Sequence, residues 1–192
     1  MRLRREFWRL IQMQGLSFDF KQDFFQLFGL PATFHIDSAL LDQRYHALQM
    51  QVHPDKFSHL PEAERRASMQ WATRVNEAYQ TLASPVGRAR YLLSLHGVDT
   101  QEETNTAMPM DFLMQQMEWR DAIEEAQRES DVRALDQLEL RLQHEMRELQ
   151  QQLAVKIDDE RDYAMAAESV RKLKFMEKIV EEIASAFDAI DH

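Results

Sequence analysis

The sequence predicts an all-α protein in two parts: a helical hairpin with a polar loop at its tip, followed by a C-terminal three-helix bundle. Three observations carry this. Apolar residues recur at intervals of three and four, as on one face of an α-helix. All prolines (Pro31, Pro54, Pro61, Pro85, Pro109) and all glycines (Gly15, Gly29, Gly87, Gly97) lie at or before residue 109, so the remainder has no strong helix breaker and should fill with long helices. Between two helical stretches, residues 51–57 read QVHPDKF. Pro54 lacks an amide hydrogen and pushes His53 out of the α region, so the helix through Val52 must stop there.

The first half divides into four helical pieces. DFFQLFGL, 23–30, is a short turn ended by Gly29 and Pro31. Asp37 or Ser38 caps a second helix, whose Leu41, Tyr45, Leu48 and Val52 form one apolar stripe. After the His53-Pro54-Asp55-Lys56 break, Pro61 opens a third helix with Ser68, Trp71, Ala72, Val75, Tyr79 and Leu82 on a shared face. Ser84-Pro85 opens a fourth, ended by Gly97. The polar stretch GVDTQEETNTAMP, 97–109, is the expected domain boundary. The expected organisation is thus an extension at 1–22, the hairpin domain at 23–97, a linker at 98–109 and the bundle at 110–192. The segment MRLRREFWRLIQMQGL is set aside as an extended start on which no function is built.

In the second half, positions about 100° apart place Phe112, Trp119 and Ile123 on the core face of one helix. Leu113, Met114 and Met117 fall mostly opposite, bordered by Glu118 and Asp121. A helix apolar on two faces is either sandwiched between neighbours or shows one face to a partner, and methionines suit an irregular partner surface. The middle helix, with Leu135, Leu138, Leu142, Met146, Leu149 and Leu153, reads as core. On the last helix, Leu173, Met176, Val180, Ile183 and Phe187 form the expected core stripe. Phe175 lies about 100° from its centre, among Arg171, Lys174 and Lys178.

Composition sets limits. The 192 residues, 44% hydrophobic and 29% charged, suffice for one sizeable core or two small ones. No apolar run approaches the roughly 18 residues of a membrane span, and no signal-peptide pattern occurs, so a cytoplasmic protein is expected. With Cys 0, disulfides, thiolate nucleophiles and cysteine zinc sites are excluded. The net charge of −10 is uneven: +3 over residues 1–22, 0 over 23–97 and −13 over 98–192. Such an acidic second half argues against non-specific nucleic-acid binding, which relies on Lys and Arg to neutralise phosphates, and favours a protein partner. His35, His46, His53 and His59 are spaced by 11, 7 and 6 residues, so no pair sits one helical turn apart as metal ligands would. There is no Gly-x-Ser-x-Gly elbow and no phosphate-cradling glycine loop, and neither a cofactor nor catalysis by this chain is expected.

DFFQLFGLP, QRYHALQMQVHPDKF and NEAYQTLASPVGRARYLLSLHG together resemble a J domain. With DFLMQQMEWRD and VRKLKFMEKI downstream, the likeness extends over residues 23–190 to the HscB family, J-type co-chaperones of bacterial iron-sulfur cluster assembly. The resemblance implies that His53, Pro54, Asp55 and Lys56, with Arg44 on the preceding helix, dock on a DnaK-type chaperone of the HscA kind and stimulate its ATPase. It further implies that Leu113, Met114, Met117, Glu118, Asp121 and Phe175 bind a cluster scaffold of the IscU type. J-domain helices before this loop usually carry several cations; here Arg44 is the one arginine or lysine. The alternative class is a helical adaptor or accessory subunit in which the His-Pro-Asp sequence is incidental.

Overall fold

In the computed structural model, which describes residues 21–57, 61–101 and 108–190, the first helix begins where its capping chemistry dictates. Asp23 accepts from the backbone N–H of Gln26 at 2.8 Å, and Gln26 Oε1 accepts from the Asp23 N–H at 3.3 Å. This capping box satisfies two amides that have no intrahelical partner. Helix α1, Phe24–Phe28, ends at Gly29 in the left-handed region (φ 62), where a side chain would be strained. It buries Phe24, Phe25, Leu27 and Phe28.

Asp37 caps α2, Ser38–Val52, accepting from the Leu40 N–H. After the break, α3 spans Glu62–Ala83 and α4 spans Pro85–Leu95. Leu41, Leu48 and Val52 of α2 are buried, as are Trp71, Val75, Ala78 and Leu82 of α3. The two helices run antiparallel, with Val52 paired to Ser68, Tyr45 to Asn76 and Asp42 to Tyr79. Tyr45 and Tyr79, expected among the core stripes, are half-buried instead. Their rings stack at 4.0 Å, because their hydroxyls need polar partners at the edge of the seam. At the α3–α4 corner Gly87 is required sterically: a Cβ there would lie 2.9 Å from the Thr81 carbonyl oxygen.

The chain forms two compact units dividing between Arg88 and Ala89, inside α4. In the second unit Thr100 is buried and its carbonyl accepts from Arg171 at 3.1 Å, while His96 stacks on Tyr163 at 4.3 Å. The polar segment at 97–109 therefore enters this unit through packed residues; residues 102–107 of it lie outside the described ones, as do residues 1–20 of the extension and His59.

Helices α5 (Met110–Glu129), α6 (Val132–Ala154) and α7 (Tyr163–Ile190) form the three-helix bundle. No breaker separates them, yet both turns are sharp. Ser130 (φ 52) and Arg161 (φ 56) adopt the left-handed conformation without being glycine. Asp131 then accepts from the Ala134 N–H, and Asp162 from the Met165 N–H, so each following helix starts on a side-chain cap. A π-helical turn, Val155–Glu160, leads into the second bend. The bundle core holds Phe112, Trp119, Ile123, Leu135, Leu138, Leu142, Met176, Ile179 and Ile183.

Three expectations about this core need correction. On α7 the stripe runs Leu173, Met176, Ile179, Ile183, Ala186, all buried, whereas Val180 and Phe187 are half-buried at its edge. On α6 Met146 and Leu149 are likewise half-buried. Phe175, expected away from the core, packs against it while remaining partly exposed. All three have one cause: with only three helices the core is narrow, and apolar residues beside the central row are covered on one side only. The described residues are all-α, with no strand among them.

Candidate functional site

The hairpin tip is built by interruption. The α2 ladder ends at Val52, His53 is extended (φ −58, ψ 125), and Pro54–Phe57 forms one 3-10 turn. Within it the Lys56 N–H donates to the His53 carbonyl at 3.1 Å, and the Asp55 N–H donates to His53 Nδ1 at 3.3 Å. The Asp55 carboxylate stands 3.6 Å from Nδ1, and the side chains of His53 and Asp55 are 52% and 89% exposed. His53, Asp55 and Lys56 thus form one exposed polar corner whose backbone is held by its own hydrogen bonds.

Arg44 is exposed but lies nine positions before His53, on a different flank from the Tyr45–Asn76 seam. Its Nη1 comes within 4.0 Å of the point a side chain on Gly29 would occupy. Beside the tip two methionines are open to solvent, Met50 on α2 (63%) and Met69 on α3 (58%). The sequence pattern singled out neither Met50 nor Met69. The signal available for Met69 was its position off the Trp71–Val75 stripe. Along the seam Gln49 donates to the Tyr45 hydroxyl, which donates to Asn76. Tyr79 donates to Asp42, and that bond raises the phenol's pKa above its ordinary value.

The second candidate surface is a regular helix face. On α5, Met114 (58%) and Met117 (65%) are exposed, Leu113 is half-buried, and Glu118 and Asp121 are exposed. Helices α5 and α7 run parallel. Arg120 bridges Glu182 through two 3.1 Å hydrogen bonds across a separation of 62 residues, and Lys172 sits 5.8 Å from the Phe112 ring. Leu113 and Phe175 have the same separation, so this register sets them side by side, with Met117 one turn further along α5. The guanidinium of Arg120 is held charged by Glu182, its pKa pushed further up.

Not all six residues share that seam. Met114 and Glu118 lie on the other flank of α5, in a groove of about 620 Å³ walled mainly by α5 and α6, with Asp111, Gln115, Glu145 and Glu148, and reaching Lys172 and Met176 of α7. There Gln115 donates to Glu145 at 3.0 Å, and partial burial raises the Glu145 pKa despite Arg141 and Gln115. Asp121, in line with Met117 and Met114 on the outer face, lies between the two flanks. The structure therefore resolves the set into an apolar seam of Leu113, Met117 and Phe175 and an acidic shoulder of Glu118 and Asp121, joined by Met114. Among the described residues, no group of three or more His, Cys, Asp or Glu is arranged to hold a metal, and no helix is long and apolar enough to cross a membrane.

Known proteins match both halves of the chain. Residues 108–184 match the family described as the HSCB C-terminal oligomerisation domain. The chain is similar to a co-chaperone protein HscB homolog of Aromatoleum aromaticum, 54% identical over 176 residues that cover 92% of this chain and 99% of the relative. Among solved structures it is similar to chaperone HscB from Vibrio cholerae, with TM-score 0.79, 35% identity and coverage of 88% and 99% of the two chains. It is also similar to the human co-chaperone protein HscB, with TM-score 0.82, 32% identity and coverage of 88% and 84%. A J-type hairpin with its His-Pro-Asp tip and a three-helix bundle, in a chain that matches these proteins over most of their length, have one reading: the chain belongs to the HscB co-chaperone family.

Proposed function

We propose that this chain is a bacterial, cytoplasmic co-chaperone that binds an iron-sulfur cluster scaffold of the IscU type and delivers it to a DnaK-type chaperone of the HscA type, whose ATPase it stimulates. The J-domain part, residues 23–97, supplies chaperone docking through His53, Pro54, Asp55 and Lys56 with Arg44 behind them. The bundle, residues 110–192, supplies scaffold binding. The hydrolytic chemistry belongs to the chaperone, and this chain acts by binding alone. The observation that carries the reading is the internally hydrogen-bonded 3-10 corner, which holds exposed His53 and Asp55 in one geometry before any partner arrives. Preorganisation of this kind lowers the ordering cost of association.

On the scaffold side, support comes from three apolar side chains brought to one seam on an otherwise acidic bundle, a combination suited to a partner with an apolar contact edged by basic groups. ATP turnover by an HscA-type chaperone, measured with this chain, with an IscU-type scaffold and with both, tests the proposal. Stimulation by the chain alone, and a further rise when the scaffold is added with it, is the expected result. No stimulation under any condition would leave the helical-adaptor reading standing.

A further inference from the structure

Ser68 of α3 is buried to 1% relative exposure and its hydroxyl donates to the carbonyl of Val52 at 2.8 Å, across 16 residues of sequence. Val52 is the last residue of α2 and His53 follows it directly. The terminal carbonyls of a helix have no intrahelical donor. The Lys56 N–H, which would reach Val52 if α2 continued, bonds to His53 instead. A hydroxyl within a helix ordinarily turns back on the carbonyl four residues earlier. Thr73, Ser169 and Ser185 do so in this protein, at 3.0, 3.1 and 3.0 Å. Ser68 instead directs its hydrogen across the hairpin to the residue on which the polar tip is mounted.

We infer that Ser68 is a positioning residue for the docking tip: its bond to the Val52 carbonyl fixes where α2 stops and the direction in which His53 and the 3-10 turn leave it. The role rests on the docking reading above. The other cross-hairpin bonds, Tyr45–Asn76 and Tyr79–Asp42, lie two or more turns from the tip. They set the spacing of α2 and α3 without holding the last carbonyl. Without the Ser68 hydroxyl, the end of α2 frays and the docking-competent arrangement of His53 and Asp55 becomes one of several. Apparent affinity then falls by the fraction of time that arrangement is populated, while the complex once formed is unchanged.

The test compares Ser68→Ala with Val75→Ala, a truncation fully inside the same hairpin but away from the tip, and with His53→Gln, all in the full chain. Stimulation of an HscA-type ATPase is titrated to saturation, and amide hydrogen exchange is followed at residues 53–57. The expected result for Ser68→Ala is a half-maximal concentration raised on the order of tenfold with an unchanged plateau, together with faster exchange at the tip. Val75→Ala should lower the melting temperature without either change. An unaltered titration for Ser68→Ala, or equal changes in the two alanine variants, would overturn the positioning role. If Ser68→Ala does not fold, Ser68→Cys, similar in size but a weak donor, must give an intermediate rise; a wild-type titration from it rejects the role. His53→Gln separates the two readings, since full stimulation by that variant rejects docking itself, whereas its loss beside a normal Ser68→Ala rejects only the part assigned to Ser68.

Discussion

The tip of the α2–α3 hairpin and the outer face of α5 are built in opposite ways. At the tip a proline stops a helix and the exposed polar groups that follow are held by bonds among themselves, so the residues in question contribute almost nothing to the core. On α5 the helix is uninterrupted, and the candidate residues differ from their neighbours only in facing outward while apolar. Phe175 goes further and belongs to both surface and core. A site made by interruption can thus be altered at no cost in stability, whereas a site on a bundle face shares its atoms with the fold.

Substitutions separate the two designs most sharply at the tip. His53→Gln or Asp55→Asn should abolish ATPase stimulation while helical content and melting temperature stay as in the wild type; a large drop in melting temperature would mean the corner is structural. On the bundle, replacing Leu113, Met117 and Phe175 by alanine should abolish scaffold binding in calorimetric titration, since anchors at an interface centre contribute about 2 kcal/mol or more each. Here melting should also fall, and nearly all of the fall should come from Phe175, with Met117→Ala alone close to neutral. By contrast Leu142→Ala, at a fully buried position, should cost about 2–5 kcal/mol. Equal melting of Met117→Ala and Leu142→Ala would erase the distinction between face and core.

Smaller effects refine the comparison. If Arg44 and Lys56 steer chaperone encounter, raising ionic strength to physiological values should reduce the association rate, with Arg44→Ala felt more than a change to alanine at Arg65, an exposed residue of α3, in stopped-flow measurements. With exposed Met50 and Met69 beside the tip, much of the affinity should survive salt. The smallest effect is expected at Glu145. Its carboxyl is raised by burial, so the native chain holds that proton more tightly than the unfolded chain does. The resulting penalty is absent in acid, below the carboxyl's unfolded pKa, and complete once pH exceeds the raised native value. Glu145→Gln should therefore raise the melting temperature at neutral pH by about 1 °C and leave it unchanged near pH 4.

By itself the sequence determined the all-α class, the stop at Val52, a cap for α2 at Asp37 or Ser38, and the polar identity of the tip. Each follows from local chemistry: proline removes a donor, aspartate caps, and a 3.6-residue period selects a face. It also pointed to Leu113 and Phe175 as residues off the core rows. Only the tertiary structure decided that these two lie side by side, because that depends on the register of α5 against α7, set by pairs such as Arg120 and Glu182 that are 62 residues apart. The same holds for the placing of Met114 and Glu118 on the opposite flank and for the half-burial of Phe175. The bends at Ser130 and Arg161 escaped the punctuation reading because left-handed turns there use no glycine. The tie from Ser68 to Val52 escaped it because a buried serine on an apolar face gives no sign of which carbonyl it will reach. Local rules govern the backbone of each segment, but partners that meet only when segments pack are chosen by geometry that no window of sequence contains.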